Sequence, residues 1–251
     1  MTSCVMRTQG LVKTFGTFAA VGGVDLSIAA GARHALIGPN GAGKTTLINL
    51  LTGVVSPTRG DVFLAGERIT TLTQHERVKR GMTRTFQINT LFPGLTVLES
   101  VLLAICERTG AAWQPLRTVT AFTSEVDEAH ALLQRMRLDA DAAVETRHLP
   151  YGKQRLLEIA LALATRPRLL LLDEPAAGIP VGESAGVFSA LDALPRDVTV
   201  LFIEHDMDLV FRFAERISVL VGGKLLAEGT PDAVARDSRV REVYLGEAQA
   251  G

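Results

Sequence analysis

The stretch Gly38-Pro39-Asn40-Gly41-Ala42-Gly43-Lys44-Thr45-Thr46 decides how the rest of the chain is read. It fits G-x-x-x-x-G-K-[ST] through Gly38, Gly43, Lys44 and Thr45. Before it, Arg33-His34-Ala35-Leu36-Ile37 is a short apolar run expected to form a buried strand. After it, Leu47-Ile48-Asn49-Leu50-Leu51 is apolar at helical spacing. Strand, glycine loop and helix form the context the motif requires. Glycines let backbone N–H groups turn inward around an anion. The helix that follows aims its positive dipole end at the same point. Lys44 adds a mobile cation directed at β- and γ-phosphates, and Thr45 offers a hydroxyl to Mg²⁺. An ordinary glycine turn before a helix does not require this combination of spacing, lysine, threonine and flanks.

A second segment completes such a site. Leu169-Leu170-Leu171-Leu172 is a fully apolar run, expected as a parallel strand, and it ends in Asp173-Glu174. Asp173 is placed to hold Mg²⁺, directly or through water. Glu174, one residue on, is placed to reach the water that attacks a γ-phosphate. Two acids at a strand end are commonplace as solvated loop residues; the phosphate loop is what gives this pair meaning.

The 251 residues fit one large domain or two small ones, and 47% hydrophobic content is ample for a core. A net charge of −1 gives no overall field for nucleic acid or an acidic membrane. Cys4 and Cys106 match no ligand or redox spacing and are expected as free thiols in a reducing compartment. The opening MTSCVMRTQG lacks the apolar region of a signal peptide. The longest apolar tract, residues 156–172, is broken by Arg166-Pro167-Arg168, so no transmembrane helix is expected.

Alternation predicts strands over 5–15 and 20–28, with others at 61–64, 82–87 and 198–203 and a hairpin at 217–227. Residues 76–79 are charged and expected on an exposed helix. Helical periodicity covers 97–105, 125–136 and 152–164, and short helices are expected at 232–235 and 239–244. The picture is an α/β core with an antiparallel β portion and a helical insertion.

His148-Leu149-Pro150-Tyr151-Gly152-Lys153-Gln154 starts the amphipathic helix, about twenty residues before the acid-ended strand. The phosphate loop, Gln87 after Phe86, this LPYGKQ segment, LLLLDEP and His205 in IEHD follow one another in the order of the ATP-binding-cassette ATPases, which the chain resembles from about Val5 to Leu245. LPYGKQRLLEIA, DEPAAG, IEHDM and the terminal VREVYLG are similar to ATPase subunits of branched-chain amino-acid importers.

The resemblance implies a P-loop NTPase fold, with residues 5–88 and 164–251 forming the nucleotide-binding core and β subdomain and 89–163 the helical signature subdomain. It implies that two ATPase subunits, identical or different, close head to tail around two ATP molecules with Mg²⁺. Each ATP then lies between one subunit's phosphate loop and the other's Leu149, Pro150, Tyr151, Gly152 and Lys153. Gln87 would sense the γ-phosphate or Mg²⁺ and link to the membrane partner. His205 would hydrogen-bond the γ-phosphate and orient water. Phe15 would stack on adenine, the alternative being core packing. Transmembrane permease subunits are the implied direct partners, with an extracytoplasmic solute-binding protein acting indirectly. The implied location is peripheral, on the cytoplasmic face of the inner membrane.

Two departures stand out. The family's Ser-Gly-Gly-Gln is here Pro150-Tyr151-Gly152-Lys153, so the serine hydroxyl is replaced by proline while Lys153 adds charge. The loop after the acids, Ala176-Ala177-Gly178-Ile179-Pro180, lacks the usual terminal Asp or Asn. Residues 108–122 hold the single Trp and either face membrane-embedded partners or form a surface loop. Among rival classes, a ribosome- or nucleic-acid-associated cassette ATPase would carry two cassettes and a charged linker. A GTPase or nucleotide kinase would leave LPYGKQ and IEHD unexplained, and the guanine-reading N-K-x-D is missing.

Overall fold

A computed structural model describes residues 4–85, 91–111, 122–179 and 184–247. In chain order its first elements are β1 (Cys4–Phe15), β2 (Phe18–Val24), β3 (Ser27–Ala29), β4 (Arg33–Ile37), α1 (Lys44–Thr52), β5 (Arg59–Leu64), β6 (Glu67–Arg68), α2 (Gln74–Lys79) and β7 (Met82–Arg84). The helices α3 (Val97–Thr109), α4 (Thr123–Arg135) and α5 (Tyr151–Ala164) follow. The chain continues with β8 (Leu169–Asp173), α6 (Ser184–Asp192), β9 (Thr199–Ile203), α7 (Met207–Phe213), β10 (Arg216–Val221), β11 (Lys224–Gly229), α8 (Pro231–Arg236) and α9 (Ser238–Glu247). Two compact units result: Met1–Arg84 with Arg168–Glu174 and Pro195–Gly251, and Thr85–Pro167 with Pro175–Leu194.

The first unit holds two sheets. One is antiparallel, in the order β2-β1-β5-β6, with β3 also on β1. The single strand expected over 20–28 is in fact two. The chain leaves β2 at Val24, and Asp25 Oδ1 accepts the Gly10 N–H at 2.6 Å across the break. Both pieces still pair with β1, through Leu11↔Val24 and Arg7↔Ser27.

The second sheet runs β11-β10-β4-β9-β8-β7, parallel except for β11. Every residue of β4, β8 and β9 is buried, as near-continuous apolar runs in a covered parallel sheet require. The register pairs Leu36 with Ile203 and Ile203 with Asp173. The carboxyl ends of β4, β9 and β8 are therefore level, and the loops leaving them open at one sheet edge, where ligands of such sheets bind. Leu47, Ile48, Leu50 and Leu51 of α1 share one apolar cluster with side chains of both sheets, so the helix after the phosphate loop is fixed by core packing.

The charged segment expected on an exposed helix is corrected by Arg77, which is 1% exposed. Its guanidinium donates to the carbonyls of Leu50 (2.8 Å) and Leu51 (2.5 Å) in the last turn of α1, and to those of Thr70 (2.9 Å) and Leu72 (3.0 Å). Last-turn carbonyls lack intrahelical partners, and a buried fork of donors answers that need. Burial pushes the Arg77 pKa down to about 10, still far above neutral pH.

In the second unit α3 packs on α4 and α5, and α5 on α4 and α6. Thr96 and Glu99 cap the start of α3 reciprocally. Arg108, near its end, donates to Ala164 O (2.7 Å) and pairs with Glu128 (2.7 Å). That places Arg108 within the helical packing; residues 112–121 lie outside those described. Two helices escaped the sequence reading. Gly186 dilutes the helical signal of α6, and the seven-residue α7 relies on Asp206, whose side chain accepts the N–H groups of Asp208 and Leu209.

Candidate active site

At the carboxyl edge of the parallel sheet, Asn40, Gly41, Ala42, Gly43, Lys44, Thr45, Thr46, Asp173, Glu174 and His205 line one cavity of about 360 Å³, with Phe18, Ala20 and Ile203 as apolar wall. All belong to the first unit. Gly38 and Pro39 start the loop but lie outside this lining.

Packing explains two of the loop glycines. A Cβ on Gly38 would sit 2.0 Å from Leu220 O, and one on Gly43 (φ +99°) would sit 2.4 Å from Ala20 O. The Gly43 residue caps α1 in a left-handed conformation that other residues rarely adopt. A backbone bond from Gly223 N to Ala42 O (2.9 Å) ties the β10–β11 turn to the loop. Lys44 is buried, its Nζ donating to the carbonyls of Gly38 (2.6 Å) and Pro39 (3.0 Å). Lys44 therefore folds over its own loop, at the place where a phosphate chain would lie.

Asp173 is 5% exposed. Its Oδ2 accepts a bond from Arg84 Nη2 at 2.6 Å, while Arg84 Nη1 donates to Asn49 Oδ1 on α1 at 2.7 Å. A buried carboxylate needs such a partner. Sequence reasoning missed Arg84; the signal was a lone arginine closing the strand Met82-Thr83-Arg84, three residues before Gln87.

Glu174 has φ +48°, left-handed backbone that a non-glycine residue enters at a cost of about 1–2 kcal/mol. Its N–H is held by Ile203 O at 3.0 Å. This turn brings Glu174 Oε1 to 2.8 Å from His205 Nε2. Glu204, buried beside them, accepts the His205 N–H through Oε2 at 3.1 Å. The acid after β8 and the histidine after β9 thus meet although 31 residues separate them.

Phe15 is 52% exposed, with Lys13 Nζ 5.1 Å above its ring, and does not line the cavity; Phe18, 64% exposed, does. Neither is a core residue. Gln87 and Pro180 lie outside the described residues.

The signature residues belong to the second unit. Leu149 is buried, Pro150 is the N-cap of α5, Tyr151 opens the helix and Gly152 is buried in its first turn. Proline's fixed φ, here −56°, suits a helix start. The Tyr151 hydroxyl donates to Ala177 O at 3.2 Å and packs against Gly178, so the tyrosine in this departure from the usual sequence touches the loop after the acids. Lys153 Nζ is paired with both oxygens of Asp141, at 2.7 and 2.8 Å. One turn on, buried Arg155 joins Glu158 (2.6 Å) and reaches Pro175 O (3.3 Å); burial raises the Glu158 pKa, with Arg155 opposing.

Known proteins resemble this chain over nearly its whole length. The profile of the ABC transporter family matches residues 21–177, and that of a branched-chain amino acid ATP-binding cassette transporter matches 224–250. The chain is 39% identical to the high-affinity branched-chain amino acid transport ATP-binding protein BraF of Pseudomonas aeruginosa, over 99% of this chain and 100% of the relative. LivG of Escherichia coli, with the same description, is 38% identical over the same shares. The ADP conformation of the ATP-binding cassette MJ1267 superimposes with TM-score 0.83 at 32% identity, covering 97% of this chain and 99% of that one. The dimeric cassette MJ0796 gives TM-score 0.74 at 26% identity over 90% and 98%.

Proposed function

Since the chain belongs to the ATP-binding-cassette family of transporter ATPases, we propose that it powers an importer of branched-chain amino acids or related small polar solutes. Near-full-length identity to two high-affinity branched-chain amino acid transport proteins is the observation that carries this reading. The chain works as a peripheral subunit on permeases at the cytoplasmic membrane face; no described helix is long and apolar enough to cross a membrane itself.

The cavity's residues divide the chemistry. Lys44 leaves its loop carbonyls to meet the β- and γ-phosphates, and the loop amides with the α1 dipole hold the rest of the anion. A hydroxyl and a carboxylate suit a hard cation, and Thr45 and Asp173, lining one cavity, would hold Mg²⁺. Bound there, it would neutralise phosphate charge. Glu174 orients the attacking water and takes its proton as the water oxygen bonds to the γ-phosphorus and the bond to ADP breaks. His205 Nε2 steadies the Glu174 carboxylate, and with ATP bound its N–H turns to donate to the γ-phosphate. Gly152 and Lys153, at the positive end of α5, meet the ATP of a second ATPase subunit. Gln87 relays nucleotide occupancy to the permease, and Phe15 remains the adenine-stacking candidate of the sequence pattern.

Reconstitution tests the reading. The chain, its permeases and its solute-binding protein, placed in ATP-loaded liposomes, should accumulate leucine, isoleucine or valine. ATP consumption with uptake of none of these would contradict the solute class.

A further inference from the structure

We propose that Arg84 is a positioning residue that braces Asp173 against the phosphate-loop helix, presetting the gap that Thr45 and Asp173 must span around a divalent cation. The proposal rests on the reading of Asp173 and Thr45 given above. Three observations carry it. The guanidinium is a bridge, with Nη1 on Asn49 at 2.7 Å and Nη2 on Asp173 at 2.6 Å. Its two ends reach the elements that bear the two metal candidates. Asn49 lies four residues after Thr45 on α1, hence one turn along the same helix face, and Asp173 ends β8. Finally, the bridge is enclosed: the side chains of Arg84 and Asp173 are 11% and 6% exposed.

The sheet register explains the reach. Arg84 pairs with Leu171, two residues before Asp173, so the side chains of Arg84, Leu171 and Asp173 share one face of the sheet. Leu171 packs in the cluster that contains Leu47 and Leu50 of α1. Arg84 therefore faces the helix it touches. Its planar fork holds two acceptors at a fixed separation, which a flexible ammonium does not. A carboxylate accepts several partners, so this bond leaves Asp173 capacity for a cation or its water.

The test separates metal-dependent from metal-independent binding. Affinity for a fluorescent, non-hydrolysable ATP analogue is titrated in Mg²⁺ and in EDTA, for wild type, Arg84→Gln, Asn49→Ala and Asp173→Asn, with thermal melts alongside. Arg84→Gln should bind as wild type in EDTA and lose ~10–100-fold of the Mg²⁺-dependent gain, the usual cost of removing an outer-shell partner. Asn49→Ala, which keeps the ion pair, should lose less in the same direction, and it carries the test if Arg84→Gln does not fold. An unchanged or larger Mg²⁺ gain in both variants, or equal losses in Mg²⁺ and EDTA, overturns the brace. If Asp173→Asn loses the gain while the brace variants keep it, the role of Asp173 survives and only Arg84 is refuted. If Asp173→Asn also keeps it, the reading beneath the proposal falls as well.

Discussion

Glu174 holds a left-handed backbone and a 2.8 Å contact with His205, a strained arrangement at the residue proposed to orient the attacking water. Replacing it by glutamine preserves shape and removes the proton acceptor. ATP turnover should fall ~10²–10⁴-fold while ATP affinity stays within a few-fold of wild type. Turnover close to wild type would remove Glu174 from this role. His34 makes a different residue-scale prediction. It is fully buried on β4, Nε2 bonded to Ser218 Oγ (2.8 Å), which donates to Glu228, and Nδ1 has no hydrogen-bond partner among the described residues. Burial lowers its pKa from 6.5 to about 4; Glu228 opposes this and Arg216 adds to it. The unfolded chain then binds the proton more readily, so stability is intact above pH 6.5 and declines as pH falls toward 4. This one group should cost about 2 kcal/mol by pH 5. Urea melts of wild type and His34→Gln at pH 7.5 and 5 should diverge by that amount; parallel losses would contradict it. That Lys44, Thr45, Asp173 and Glu174 meet at one cavity was legible, because the loop motif and the acid-ended strand each carry a type and spacing that phosphate and metal chemistry would use. Arg84 and Phe18 were not, because only the fold brings β7 onto α1 and β2 into the cavity wall.

At the scale of elements, strong periodicity located the long pieces. The runs at 169–172 and 198–203 and the helices α3 to α5 stand where hydrophobic spacing placed them. What periodicity could not show was which charged residues a partner element would enclose. Arg77 is the case: a short charged helix is drawn into the interior because the end of α1 presents carbonyls to it. Arg77→Met should fold less stably by about 3 kcal/mol, since buried carbonyls left unpaired cost ~1–3 kcal/mol each and some will find water. A change under about 0.5 kcal/mol in chemical denaturation would show that the capping is not used. Because α1 carries Lys44 and Thr45, the same variant should weaken ATP binding more than a surface change on α2 such as Lys79→Ala.

At the scale of the whole molecule, the chain carries a phosphate loop with its acids in one compact unit and a signature helix in the other. On the function proposed above, each ATP uses the loop of one subunit and the signature of another. Gly152→Asp would set bulk and negative charge at the start of α5 while leaving the chain's own phosphate loop untouched. Lys44→Ala removes the loop's cation, with ATP affinity expected to fall roughly 10–100-fold. The most direct measurement is ATP turnover of the assembled transporter with these two variants, on opposite ATPase subunits and on the same one. If the partner ATPase is a different chain, its matching loop or signature position is the one changed. With both lesions facing one ATP, the other site keeps an intact loop and an intact signature, and turnover should be recovered. With each lesion facing a different ATP, both sites are broken and turnover should be lost. Equal turnover in the two arrangements would contradict a site shared between subunits.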